Sequence, residues 1–332
     1  MERKYNYVFF EINGLYTYSY SDLQNEEDVV LLPHKKQILG KFYPLFRFHF
    51  SNEVNRRVVL PYKNLWNKCY FTSMFGNTKP ICFVFSGRWV QLAIETKLLD
   101  YYREKYPGSK MVWFCQDTIE NQKQLYSGGR LHNVYDIFSH YDLLLSIDYS
   151  DCAKYGMIYH PLVFSSFHGE LKSMPQSDIY FLGKAKNRLS DIIKTYETLR
   201  EKGLVLDFNI VGVNTSDRVY SNEIHYIDYM TYSENLQHIM HTKCLLEIMQ
   251  HGQTGYTQRA AEAVCLDKLL LTNNQNIKEA PFFNPSLISI FNNISSIDNT
   301  FLDMIKKPLS VNYNYKEKMS PIELVNFIDE RL

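Results

Sequence analysis

The sequence predicts an α/β protein of two domains, each a parallel sheet flanked by helices. Three observations lead there. The chain has 332 residues, more than one hydrophobic core usually spans. Short apolar runs alternate with longer segments of helical period, the pattern of successive strand and helix units. Residues 161–177 keep neither period and carry Pro161, Gly169 and Pro175, so they read as a connection between two such series.

The first series comes after an irregular, Tyr-rich beginning. Ile81 to Phe85 reads as a buried strand and Val90 to Tyr102 as one amphipathic helix, ended by Tyr106-Pro107-Gly108. Met111 to Cys115 and Leu143 to Ile147 are the next strands, the first followed by Gln116-Asp117-Thr118 and the second by Asp148-Tyr149-Ser150. The second series has strands at Ile179 to Leu182, Val205 to Val211, Cys244 to Met249 and Leu269 to Thr272. Helices are expected at Leu189 to Lys202, Ser233 to His241 and Gln258 to Cys265. Repeated alternation in one order implies a parallel sheet with right-handed crossovers. The expected domains are therefore 1–160 and 178–310, with 161–177 between them. Residues 311–332 form a last segment whose amphipathic helix, Pro321 to Leu332, returns to the first domain.

Composition narrows the partners. Hydrophobic residues make up 45% and charged residues 22%, which excludes the signature of a disordered chain. Lys plus Arg balances Asp plus Glu at 36 each, so no global field draws the protein to nucleic acid, and none is expected as a partner. The six cysteines contain no CxxC pair and mostly sit in apolar runs, which suits a reducing compartment. The N-terminal apolar run from Tyr7 to Phe10 is too short for a secretory signal, and no stretch is long enough to span a membrane. A cytoplasmic protein is expected.

Chemistry concentrates between Cys244 and Asn274, where a strand, a polar loop, a helix and a second strand succeed one another. Free backbone N–H groups and the positive end of a helix dipole suit a diphosphate at such a loop. Gly252 and Gly255 permit close approach, while Gln253 sits between them on the loop. Thr254 and Thr257 add hydroxyls, and Arg259 adds a charged donor. Glu262 is spaced to accept the hydroxyls of a ribose whose phosphates lie at the helix start. An ordinary capped helix with a surface glutamate accounts for the same residues, since glycine-containing loops of this kind are common. Lys184, Lys186 and Arg188 directly follow a strand and Gly183, where ligands sit in α/β folds; a solvated charge run is the alternative. Asp117 follows a strand end as a candidate base, with a helix N-cap as the competing reading.

The order of strand, Gly-Gln-Thr-Gly-Tyr-Thr-Gln-Arg loop, Glu262-Ala263 and polar-ended strand resembles the donor-binding half of GT-B glycosyltransferases. The likeness is greatest to the group making bacterial lipopolysaccharide and capsular polysaccharide. Asp178 to Arg188, with its Gly183 turn, resembles the opening of that half, and Asp207 to Val213, with Gly212, its second strand. His225 to Tyr232, including Tyr229, resembles the loop that meets the nucleobase. Phe138 to Gly156 and Lys63-Asn64-Leu65-Trp66 extend the likeness upstream. The resemblance implies two Rossmann-like domains facing across a cleft. It implies a nucleotide-diphosphate sugar donor and a saccharide or lipid-linked saccharide acceptor, no cofactor, and peripheral contact with the inner membrane. Many retaining members carry a first glutamate eight positions before the second, and here Thr254 stands at that place.

Metal-independent transfer is expected, because the chain contains no Asp-x-Asp pair of the kind that holds a cation on the diphosphate. His238 and His241, three apart on a helix, lack the partners of a metal site and read as solvated or core histidines. Two rival functions remain open: a polyol-phosphate transferase of cell-wall polymer synthesis, and a non-catalytic GT-B subunit that binds a partner enzyme.

Overall fold

The computed structural model describes all residues except 1, 11, 59, 73–74, 127–133, 251–255, 294–295 and 309; for 52, 56 and 123–126 it describes the backbone alone. The chain divides into two compact units. One comprises Met1–Ser165 with Ser320–Leu332, and the other Ser166–Met319. Residues 311–319, which the sequence assigns to a final segment, belong to the second unit. Their short helix Lys316–Met319 packs on the helix Gln258–Cys265, with the sulfurs of Cys265 and Met319 3.9 Å apart.

Six parallel strands build the first unit: β1 (Asn6–Phe9), β2 (Val29–Leu31), β3 (Ile81–Phe85), β4 (Lys110–Cys115), β5 (Leu143–Ser146) and β6 (Ile158–Tyr159), in the order β2-β1-β3-β4-β5-β6. β1 is an inner strand, although its four residues lie in the segment that the sequence presents as irregular. Its side chains alternate between two buried faces. Val8 joins Phe83, Phe85 and Trp113 on one face, while Tyr7 and Phe9 join Val84 and Phe114 on the other. The second face is covered by the helix Pro321–Arg331, through Leu324, Val325 and Ile328. Its Asp329 accepts hydrogen bonds from Tyr7 Oη at 2.7 Å and Lys4 N at 2.8 Å.

The helix expected from Val90 to Tyr102 is two helices, Arg88–Glu95 and Leu98–Lys105. Thr96 Oγ1 donates back to Leu92 O at 2.8 Å, and Lys97 is left-handed at φ 55°. No glycine or proline marks that break. A continuous apolar stripe runs across it, because both helices bury residues against the same core.

The second unit contains β7 (Ser177–Lys184), β8 (Leu206–Val211), β9 (His225–Ile227), β10 (Thr242–Glu247), β11 (Leu269–Thr272) and β12 (Ile288–Ile290), all parallel in the order β12-β11-β10-β7-β8-β9. β7 begins inside the segment expected to be a connection. The chain runs outward from β7 through β8 to β9, returns to the far side of β7, and runs outward again from β10. In a doubly wound sheet, such a reversal opens a crevice at the carboxyl ends of the two middle strands. Both units are thus doubly wound α/β sheets, with switch points at β1/β3 and β7/β10. No described helix is long and apolar enough to cross a membrane.

Candidate anion-binding site at the second switch point

β7 and β10 end side by side, and polar side chains gather beyond both ends. After β7 the chain turns through Gly183, Lys184, Ala185 and Lys186, with Ala185 N bonded to Val211 O at 2.9 Å. Lys184 and Lys186 are exposed, and Lys186 Nζ donates to Gln250 Oε1, beyond the end of β10, at 2.8 Å. Lys186 is left-handed at φ 43°, a backbone state that costs a lysine about 1–2 kcal/mol. Strain of this kind concentrates where a segment is held for a ligand.

Arg188 turns inward. Its guanidinium donates to Ile248 O and, through Nε, to Lys184 O at 3.2 Å, so it bridges the ends of β7 and β10. The absence of a side chain at Gly183 makes this possible, because a Cβ there would lie 2.7 Å from Arg188 Nη2 and 2.9 Å from the Phe181 ring. Burial holds the Arg188 pKa below its ordinary value.

Thr257 is the N-cap of the helix Gln258–Cys265, whose span coincides with the sequence reading. Its hydroxyl accepts from Arg259 N at 3.1 Å and donates to Glu247 Oε1. Ala260, Ala261 and Ala263 are buried, and their small side chains let the helix lie close on β10. Glu247, the last residue of β10, also accepts from Thr272 Oγ1 at the end of β11. This carboxyl therefore pins two strand ends and a helix start. Burial pushes its pKa above the usual carboxylate range, against the two threonine donors and the charges of Arg259 and Arg188.

Glu262 corrects an expectation. The sequence reading places it facing the cleft, on the donor ribose, with a surface glutamate as the alternative; it is only 2% exposed. Its Oε1 accepts from Tyr232 Oη at 2.7 Å and Asn235 Nδ2 at 3.2 Å. Arg259 Nη1 lies 2.7 Å from Oε2, an ion pair whose N–H is not aimed along the contact. The Arg259 guanidinium also lies over the Tyr180 ring, 5.3 Å from its centroid, and Tyr180 Oη donates to Asn235 Oδ1 at 3.0 Å. Burial raises the pKa of Tyr232, with help from the Glu262 charge, so the phenol keeps the proton it donates. Arg259, Glu262, Tyr232, Asn235 and Tyr180 form one buried network under the helix start.

The structure brings Gly183, Lys184, Lys186, Arg188, Thr257, Arg259 and Glu262 to neighbouring strand and helix ends. Gly252, Gln253, Thr254 and Gly255 lie outside the described residues. Gly212, at φ 76°, ends β8, one strand away. Tyr229 is 77% exposed, with no ring stacked on it among the described residues. Asp117 sits in the first unit, where its carboxylate accepts from Thr118 N at 2.8 Å and Asn121 Nδ2 at 2.9 Å; the cap of the helix Ile119–Tyr126 is Thr118, whose hydroxyl accepts from Asn121 N at 3.2 Å. Asp148 does cap a helix, Tyr149–Tyr155, by accepting from Asp151 N. His238 pairs with Asp207 at 2.5 Å, and His241 donates to Gln237 O at 2.8 Å. Among the described residues, no group of three or more His, Cys, Asp or Glu is placed to hold a metal ion.

Glu247, Tyr232, Asn235 and Thr272 are absent from the sequence-derived set. Only Glu247 left a signal, as a lone charge inside the apolar run from Cys244 to Met249.

Fold and site together define a doubly wound α/β protein with a cationic strand-end crevice in its second unit. No protein-family model and no curated protein sequence matches the chain. Solved structures do resemble it. A UDP-forming α,α-trehalose-phosphate synthase from Burkholderia vietnamiensis aligns over 98% of both chains at 9% identity, with a TM-score of 0.48. An α-glucosyltransferase crystallised with UDP and a mismatched DNA 13-mer aligns over 98% of this chain and 93% of its own at 10% identity, TM-score 0.45. TarM aligns over 76% of this chain at 9% identity, TM-score 0.40, and the match spans 51% of TarM.

Proposed function

We propose that the protein is a glycosyltransferase that binds a nucleotide-diphosphate sugar at the β7/β10 switch point and passes the sugar to a saccharide or lipid-linked saccharide. The supporting observation is the meeting of exposed Lys184 and Lys186, inward Arg188 and the Thr257-capped helix start at one pair of strand ends. That is a set of donors for a diphosphate, reached from outside the sheet. In the reaction, the bond from the anomeric carbon to the diphosphate oxygen breaks and its electron pair leaves with the diphosphate. An acceptor hydroxyl oxygen bonds to the carbon, and its proton passes to the departing diphosphate. Charge grows on the leaving diphosphate, so fixed cations and N–H groups lower the barrier most there, without a cofactor or metal. Glu262, whose carboxylate is enclosed with Arg259, Tyr232 and Asn235, holds the Arg259 guanidinium in place under the Thr257-capped helix start. Surface polysaccharide synthesis on the cytoplasmic face of the inner membrane is the setting we assign to this reaction.

Calorimetry with uridine, guanosine and cytidine diphosphates tests the donor site. One of them binds the wild-type protein, and Lys184→Ala with Lys186→Ala weakens it by about ten- to a hundredfold. Both side chains are exposed, so the variant folds. Equal affinity in the variant, or binding of none of the three, overturns the reading.

A further inference from the structure

Exposed large apolar side chains are sparse over most of the described surface but crowd between residues 42 and 65. Phe42, Leu45, Phe48, Val58, Tyr62 and Leu65 are each more than half exposed. Phe42, Leu45 and Phe48 recur every third residue along a continuous helical stretch, Gly40–Phe42 running into Tyr43–His49, and so share one side of it. Phe46, on the other side, is buried against Phe50, Trp66 and Tyr70. His49 ties the second group to the first, because its Nε2–H donates to Pro61 O at 2.7 Å and its Nδ1 accepts from Trp66 Nε1 at 3.0 Å. The segment carrying Val58, Tyr62 and Leu65 is therefore held against the helix that carries the other three.

The charge around these side chains is one-sided. Between residues 35 and 68 the sequence has eight lysines and arginines and one acidic residue, Glu53, in a chain whose net charge is zero. Lys36, Lys41, Arg47, Arg57 and Lys68 are exposed, and none is in an ion pair among the described residues. The helix Lys35–Leu39 packs on Tyr43–His49 and on Asn67–Tyr70, which gathers these cations around the apolar side chains.

We infer that this face of the first unit docks on an anionic lipid surface, with Phe42, Leu45 and Phe48 entering the headgroup boundary and the surrounding cations meeting lipid phosphates. Apolar side chains flanked by lysine and arginine are the composition of an interfacial anchor. A nucleic acid satisfies the cations but gains little from Leu45, Val58 and Leu65. A second copy of the chain would place like charge against like across a twofold interface. The inference rests on the membrane setting proposed above and supplies the surface for it.

Co-sedimentation with phosphatidylcholine vesicles, with and without phosphatidylglycerol, tests it. The protein binds the anionic vesicles at least about tenfold more tightly than the neutral ones, as expected for several cations at about fivefold each. Phe42→Ser with Leu45→Ser and Phe48→Ser removes most of the binding, and Lys41→Gln with Arg47→Gln removes its dependence on phosphatidylglycerol. Circular dichroism checks that both variants fold. Three outcomes overturn the inference: equal binding to both vesicle types, variants that bind like the wild type, or tighter binding to duplex DNA than to anionic vesicles. Nucleoside diphosphate affinity, measured without vesicles, separates the two readings. Its loss from the wild type alongside intact vesicle binding removes the transferase and leaves the surface; the converse removes the surface alone.

Discussion

The two switch points share a topology and differ in what fills them. Where β1 and β3 end, Phe10 stacks on Phe85 at 4.5 Å and meets Trp89 at 4.7 Å. Where β7 and β10 end, the space holds Glu247, Arg188, Arg259 and Glu262. Aromatic packing stabilises a strand end directly. Buried ion pairs often gain nothing over an apolar core of equal volume, because desolvation offsets their attraction. The second unit thus keeps an arrangement that is poor as a stability device and is what the proposed donor site would call for.

The largest expected effect tests whether that network is as buried as its geometry states. Glu262→Ala leaves Arg259 and Tyr232 without their carboxylate, and should lower unfolding stability by about 3–5 kcal/mol in urea titration. Adding Arg259→Met should recover much of that loss. A Glu262→Ala protein as stable as the wild type would return the residue to an open surface.

The first unit has its own buried ionisable group. His160 lies between the rings of Phe114 and Phe327, with Nδ1–H donating to Pro161 O at 2.8 Å. Burial lowers its pKa from 6.5 to about 4. The folded state therefore favours the neutral ring, so the stabilisation is complete above pH 6.5 and is lost as pH falls through 4. Wild-type protein should lose about 2–3 kcal/mol over that window through this residue, and His160→Phe should lose correspondingly less when unfolding is followed by fluorescence at both ends.

Glu247 should show a smaller effect of opposite sign. Its raised pKa means that the folded state favours the protonated carboxyl, so stability is full at low pH and falls as pH rises through the folded value. Glu247→Gln should match the wild type at pH 4 and be the more stable of the two at pH 8. A variant less stable than the wild type at pH 8 would show that the two threonine bonds need the charge.

Much of this architecture was legible in the chain. β3, β4, β5, β7, β8, β10 and β11 are apolar runs in regular alternation with helices, and the helix Gln258–Cys265 was bounded correctly by its threonine and its alanines. β2, β6, β9 and β12 are two or three residues long, too short for any period to register. β1 is hidden because its apolar run, Tyr7 to Phe10, is short and is followed by no long helical segment. In the site, Thr257, Arg259 and Glu262 were found because they lie within six residues of one another. Glu247 was not, because its partners Thr257 and Thr272 are 10 and 25 residues away and only the register of β10 against β11 brings them together.

The division of the chain bears on the order in which the protein is completed during synthesis. The second unit, Ser166–Met319, is one uninterrupted stretch, whereas the first needs Ser320–Leu332 to cover a face of its sheet. On the ribosome, the unit begun second is therefore the first to have all its parts. The unit begun first waits with Tyr7, Phe9 and Val84 uncovered until the last helix emerges, and through that interval it is the half most exposed to aggregation.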